Sequence, residues 1–243
     1  MSRNKKNCIV QYFIDTKLYT EPEYNNLSNE QDVFAQVSAK SFQLYAERYD
    51  CDYKLIDKPK LNHKHPTFER FDLWLDDSWW DTYDQIMYVD SDVFAMPGAL
   101  NIFDQSNDDT SLKAAWSNKW QGDHKNSHYE NMRRGLLKEF SIEVMKAKGF
   151  QPGVFVLNKH VVQKMKPFIA KFREFDEDDG VILMYATMAS RVTVEHLDHK
   201  FNYKRAYFTD APPVYFFHAA GHKKINYRSR IIHFLKKNGV WNK

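Results

Sequence analysis

The run Gln85-Ile86-Met87-Tyr88-Val89-Asp90-Ser91-Asp92-Val93-Phe94 constrains this chain more than any other stretch. An apolar run that breaks abruptly into charge reads as a buried strand emerging at the edge of a sheet, where open α/β folds place their ligand sites. An α/β fold is expected, with its chemistry where this run ends.

The flanking segments fit that expectation. Cys8 to Ile14 reads as a first strand, closed by Asp15-Thr16. A helix is predicted from Ser28, because Ser28 and Gln31 have capping-box spacing and Phe34, Val37, Ser41, Leu44 and Tyr45 recur at steps of three and four. Tyr53 to Asp57 is a second strand, and strand, helix, strand favours a parallel sheet with right-handed crossovers. Thr67 to Leu75 is a second helical candidate, with Phe68, Phe71 and Leu75 on one face and Arg70 beside them. Beyond the acidic pair, Pro97-Gly98 turns the chain, Leu112 to Trp116 and Gly153 to Asn158 read as strands, and Gly122 to Ser127 as a polar loop. Tyr129 to Lys148 and His160 to Phe175 read as helices, the second containing Pro167, and Asp178 or Asp179 caps a further helix through Ala189. Pro213 to His218 is a late strand. With no internal repeat and no linker composition, residues 1–243 read as one domain.

Composition removes several function classes. Aromatic residues are abundant (Phe 18, Tyr 14, Trp 6) while Gly and Pro number 8 each, which argues for a compact globule over a disordered chain. A formal charge of +3 is too small to make nucleic acid the expected partner, yet suits an anionic small ligand. The two cysteines, Cys8 and Cys51, read as buried thiols of a cytoplasmic, reducing compartment. The apolar segment behind the basic N-terminus is broken by Gln11 and Asp15 and is too short to span a bilayer, so neither a signal peptide nor a transmembrane helix is expected. Lys223, Lys224, Arg228, Arg230, Lys236 and Lys237 make a basic tail, either a solvated face or a peripheral contact with a membrane or anionic acceptor. Oligomeric state is left open.

At a strand end, where the backbone turns, Asp90 and Asp92 can address one cation. Unpaired, such close carboxylates repel, and a divalent ion removes the repulsion. The alternative is that one or both acids cap a turn. His218 ends the late strand within His218-Ala219-Ala220-Gly221-His222-Lys223-Lys224. There an imidazole can be a third ligand, Gly221 can let backbone approach a phosphate, and Lys224 can meet its charge. Alone, His218 reads as an ordinary core or surface histidine; its joint occurrence with the acidic pair is what points to a metal. His124 and His128 lie four apart but lack the flanking Glu of a zincin. Trp116 and Trp120 could stack on a sugar or simply pack in the core.

Four stretches in order resemble the GT-A nucleotide-sugar glycosyltransferases of family 8, the glycogenin and lipopolysaccharide galactosyltransferase type. Arg70 in Phe68-Glu69-Arg70-Phe71-Asp72-Leu73 resembles the basic residue that helps hold the nucleotide-sugar, and Tyr88-Val89-Asp90-Ser91-Asp92-Val93 is similar to Tyr-Leu-Asp-Ala-Asp-Val. Phe150-Gln151-Pro152-Gly153 with its strand through Asn158 resembles Phe-Asn-Ala-Gly and its strand, and His218 to Lys224 matches His-x-x-Gly-x-x-Lys. The departures are Gln151 in place of Asn, Asp178-Asp179-Gly180 in place of Asp-Gln-Asp, and the absence of a tryptophan shortly after the lysine.

The resemblance implies a GT-A fold, with a mixed, mainly parallel sheet flanked by helices. It implies metal-dependent transfer of a sugar from a nucleotide diphosphate sugar, of which a UDP-sugar is the expected donor, to a glycan or other hydroxyl acceptor. Asp90, Asp92 and His218 would hold Mn²⁺ or Mg²⁺, and Arg70, Asp90, Gly221 and Lys224 would contact the donor; Asp15, following the first strand, either contacts the base or ribose or is an ordinary loop aspartate. Gln151, Asp178 and Asp179 would lie at the reacting sugar, although acids at Asp178 and Asp179 also suit a helix N-terminus. Two other classes remain open: a haloacid-dehalogenase-type phosphohydrolase, which also carries Asp-x-Asp after a strand, and a non-catalytic nucleotide-sugar or carbohydrate-binding module.

Overall fold

A computed structural model of the chain describes residues 6–15, 18, 29–106, 108–115, 127–140, 150–204, 214–219 and 225–241. Its strands are β1 (Asn7–Tyr12), β2 (Asp52–Ile56), β3 (Gln85–Val89), β4 (Val93–Ala95), β5 (Leu112–Ala115), β6 (Val154–Asn158), β7 (Val194–Leu197) and β8 (Phe216–His218). The helices are α1 (Asn29–Arg48), α2 (Asp72–Leu75), α3 (Ser78–Thr82), α4 (Ser127–Phe140), α5 (Lys159–Ile169), α6 (Asp179–Ala189) and α7 (Ile225–Lys237).

Among the described residues, six strands form one sheet in the order β2-β1-β3-β6-β5-β7. β1 runs parallel to β2 and β3, β5 runs parallel to β7, and β6 lies antiparallel between β3 and β5. The sheet is therefore mixed and mostly parallel. Every residue of β3 and β6 is buried, as expected of central strands covered on both faces, whereas the edge strand β2 is largely exposed.

Side chains alternate between two cores, following the two-residue period of a strand. Ile86 and Tyr88 of β3, with Phe155 and Leu157 of β6, face a core shared with Phe71, Trp74 and the buried stripes of α5 and α6. Met87 and Val89, with Val154 and Val156, face the opposite core beneath Phe42 and Tyr45 of α1. A third cluster joins Phe34, Phe94 and Phe217 to Phe234, Leu235 and Trp241, docking α7.

β4 and β8 form a separate antiparallel pair, in which Val93 stands opposite His218. The apolar run is thus two strands, β3 and β4, with the acidic pair at the bend between them. Among the described residues, no helix is long and apolar enough to cross a membrane.

Local structure departs from the sequence pattern in several places, among them α3 and α7, two helices that the pattern did not predict. Thr67 to Leu75 is not one α-helix but a 3₁₀ turn, Pro66–Phe71, followed by the single turn of α2. Tertiary contacts win there: Glu69, fully buried, accepts the backbone N–H groups of Lys60, Leu61 and Asn62, and Arg70 is drawn into the sheet edge. α5 ends at Ile169, two residues past Pro167, and a 3₁₀ turn completes the segment. β7 has no counterpart among the expected strands; the alternation of its half-buried residues is too weak to show. Cys8 is buried and Cys51 half-buried, both free thiols.

Candidate active site

The sheet places the site through register. β3 delivers Asp90 at its C-terminal end. Because β6 runs antiparallel and Val154 pairs with Val89, β6 begins where β3 ends, so Gln151-Pro152-Gly153 lies alongside the acidic pair. Asp90 N–H donates to Gly153 O at 2.9 Å. The β4–β8 pair brings His218 across, and Ala219 N–H donates to Asp92 O at 2.9 Å. Gln11 from β1 braces the bend, its Nε2 donating to Asp90 O at 3.0 Å and to Ser38 Oγ at 2.8 Å.

Asp90, Asp92 and His218 each offer one ligand atom, and these atoms lie within 4.8 Å of one another. His218 Nε2 is 3.2 Å from Asp92 Oδ1 and 3.8 Å from Asp90 Oδ2. The site has been kept clear of side-chain bulk. A Cβ on Gly153 would stand 2.5 Å from His218 Cε1 and 2.7 Å from Asp90 Oδ2, so only glycine fits. Tyr88 donates its hydroxyl to Asp90 Oδ1 at 2.6 Å, leaving Oδ2 on the side of His218. Burial pushes the Tyr88 phenol well above its ordinary pKa, with Arg70 opposing and Asp90 reinforcing, so it remains a donor. Two carboxylates and an imidazole so disposed fit a divalent cation with mixed oxygen and nitrogen ligands.

A cleft of about 500 Å³ opens over this cluster, and Arg70, Asp90, Gln151, Asp178, Asp179 and His218 all line it. Arg70 is buried at its base, 2.5 Å from Asp179 Oδ2 and 3.9 Å from Asp90 Oδ1, with its guanidinium 4.7 Å from the centre of the Tyr88 ring. Its Nη1 donates to Pro152 O at 2.8 Å and its Nε to Thr67 O at 3.0 Å. Burial disfavours the charge, but Asp179, Tyr88 and Asp90 outweigh it, so Arg70 stays cationic above even the ordinary arginine pKa.

Asp178 and Asp179 separate in role. Asp178 is the N-cap of α6, its Oδ1 accepting Val181 N–H at 2.8 Å, and remains exposed to the cleft. Asp179 is buried, accepting from Thr67 Oγ1 at 2.8 Å and paired with Arg70, which docks the start of α6 on the 3₁₀ turn. The capping that the sequence suggested is thus assigned to Asp178. Gln151 is buried in the cleft wall. Asp15 is exposed in the loop after β1 and does not line the cleft. Gly221, Lys224, Trp116, Trp120 and His124 lie outside the described residues, as does the side chain of His128.

Three contributors take parts that the sequence alone does not show: Gly153 as the clearance beneath the cluster and Tyr88 as the partner of Asp90, both within the motif stretches quoted above, and Asn202, which meets the His218 ring. Gly153, directly after Pro152 at a strand entry, carries a local hint. Asn202 carries none.

No protein-family sequence model matches the chain, and a search of curated proteins finds no match. Solved structures do match. A glycosyltransferase involved in the glycosylation of the major capsid of PBCV-1 aligns with a TM-score of 0.60 at 12% identity, covering 95% of this chain and 99% of that one. Galactosyltransferase LgtC, in complex with donor and acceptor sugar analogs, aligns with a TM-score of 0.57 at 15% identity, covering 97% and 96%. The bifunctional glycosyltransferase WbbM aligns with a TM-score of 0.58 at 12% identity; 97% of this chain matches 50% of that one. At these identities the likeness establishes a shared GT-A fold.

Proposed function

We propose that the protein is a metal-dependent glycosyltransferase that moves a sugar from a nucleotide diphosphate sugar, with a UDP-sugar the expected donor, to a hydroxyl of a glycan or related acceptor. One observation carries the reading: on a fold shared with glycosyltransferases, ligand atoms of Asp90, Asp92 and His218 converge within 4.8 Å of one another, and Asp90 and His218 line an open cleft.

Asp90 Oδ2, Asp92 and His218 Nε2 would hold the cation, Mn²⁺ by preference for this mixed donor set. When bound, a divalent ion supplies Lewis-acid stabilisation of the charge that builds on a departing diphosphate, an effect worth several kcal/mol. Arg70 adds a permanent positive charge at the floor of the cleft, with its orientation fixed by Asp179, Pro152 and Thr67. Lys224 and the backbone at Gly221 are assigned to the diphosphate, and Asp15 to the base or ribose. Gln151 and Asp178 are assigned to the reacting sugar. Of the two acids that open α6, the contacts of Asp179 with Arg70 and Thr67 favour assigning to Asp178 the part of accepting a proton or a hydroxyl hydrogen bond.

The test is turnover. Release of free nucleoside diphosphate from a panel of nucleotide sugars, dependent on Mn²⁺, supports the transferase; release of inorganic phosphate from a phosphomonoester would place the protein among phosphohydrolases. Donor binding with neither product would mark a binding module. Lys224→Ala should weaken diphosphate affinity, and an unchanged dissociation constant removes that residue from the site.

A further inference from the structure

We infer that Asn202 is a positioning residue that holds His218 in the one neutral tautomer able to ligate a cation; the inference rests on the metal-site reading above. Asn202 is fully buried at the end of a 3₁₀ turn, His199–Asn202. Its Oδ1 lies 2.7 Å from His218 Nδ1, and its Nδ2 lies 3.5 Å from the backbone oxygen of Gln151. An amide oxygen can only accept, so the ring must carry its hydrogen on Nδ1 and keep a lone pair on Nε2. Nε2 is the nitrogen that faces Asp90 and Asp92.

The orientation of the Asn202 amide follows from its second contact. Turned over, it would set Oδ1 against the Gln151 carbonyl, two acceptors with no hydrogen between them. The amide also has little freedom to move. Tyr203, the next residue, donates its backbone N–H to Phe216 O at 3.0 Å and accepts His218 N–H at 2.9 Å, so the chain carrying Asn202 is laced to the strand carrying His218.

A buried amide is costly unless both its ends are satisfied, and an apolar residue of the same volume would fill this place more cheaply. Both hydrogen bonds of Asn202 go to the site, one to a ligand and one to the backbone of a cleft residue, which assigns its polarity to the site and not to the fold. Without it, the ring could carry the hydrogen on Nε2 and donate to Asp92, which would block the ligand position. Asn202 also ties His218, from the C-terminal part of the chain, to Gln151, which precedes β6.

The experiment needs no donor and no turnover. In the metal-free protein, above the pH range where imidazole is charged, ¹⁵N shifts of the His218 ring should report Nδ1–H with bare Nε2. Mn²⁺ titration of Asn202→Ala should show affinity lowered by about 10- to 100-fold, and Asn202→Asp, which keeps the acceptor for Nδ1–H but loses the donor to the Gln151 carbonyl, should recover part of it. A wild-type ring with its hydrogen on Nε2 overturns the inference, as does unchanged Mn²⁺ affinity in a folded Asn202→Ala. If Asn202→Ala does not fold, the wild-type tautomer alone decides. Failure of nucleotide-sugar turnover with the tautomer and Mn²⁺ affinity intact would defeat the transferase reading and leave this one standing.

Discussion

Gly153 and His218 meet so closely that a single methyl group between them would stand 2.5 Å from the imidazole carbon. The glycine belongs to the approach of β6 and the histidine to the end of β8, so the cation cluster is closed by two segments that meet only in the folded chain. Gly153→Ala must displace His218 or Asp90. We expect a stability loss of about 1–3 kcal/mol from overpacking, and Mn²⁺ affinity reduced by at least about tenfold, read by denaturant titration and by calorimetric titration. Wild-type affinity in the alanine variant would show that the cluster is not the cation site.

Asp92 tests the same cluster with the opposite sign for stability. Asp92→Ala removes one of two neighbouring carboxylates, so the metal-free protein should melt no lower than wild type. The stabilisation that Mn²⁺ gives the wild type, about 2.7 kcal/mol at a hundredfold excess over its dissociation constant, should vanish in the variant. Differential scanning with and without Mn²⁺ reads both effects. Retained Mn²⁺-dependent transfer would remove Asp92 from the site.

Arg70 is buried between Asp179 and Asp90. Replacing it with methionine leaves both carboxylates without their counter-charge and should cost about 3–5 kcal/mol. Asp179→Asn in the same chain should return part of that loss, since one of the stranded charges is then gone. A double-mutant cycle in urea measures the coupling; strict additivity would contradict the direct contact.

Alkaline pH should destabilise the fold through its buried acids. Burial pushes the Cys8 thiol from 9.0 up to about 12, and the hydrogen bond from Tyr83 only partly counters it. Tyr12 and Tyr88 are likewise raised by burial. A folded-state pKa above the unfolded one means that the unfolded chain releases its proton first, so stability is full below the unfolded value and is lost as pH climbs toward the folded one. Urea midpoints should therefore fall between about pH 9 and 12, and Cys8→Ala should flatten the slope by the contribution of about one proton. A thiol reagent at neutral pH should label Cys51 ahead of Cys8. Rapid labelling of Cys8 in the native protein would contradict its burial.

Much of this was legible from local pattern. The near-continuous apolar runs of β3 and β6 and most of the three-and-four spacing in α1 were legible, because buried strands read as apolar runs and a packed helix face repeats at its own period; Leu44, counted in that spacing, lies exposed. The bend after Val89 was legible as an abrupt break from apolar residues to charge. The 3₁₀ winding around Arg70 was not, because it follows from where Glu69 and Arg70 find partners and not from the spacing of Phe68, Phe71 and Leu75. Nor was the division of labour between Asp178 and Asp179: both are acids at a helix start, and only the arrival of Arg70 and Thr67 beside one of them separates cap from ion pair.

By itself the sequence determined that a buried strand ends in two carboxylates, and that a histidine at a later strand end could join them. Strand ends, apolar runs and acid spacing are local properties. Only the tertiary structure decided that the three meet: β6 runs antiparallel and so brings Gly153 beside Asp90, while the β4–β8 pairing sets His218 opposite Val93. Asn202 behind the imidazole was decided at the same level. Its chemistry depends on a 2.7 Å contact sixteen residues away in sequence, and no period or motif of the chain encodes such a distance.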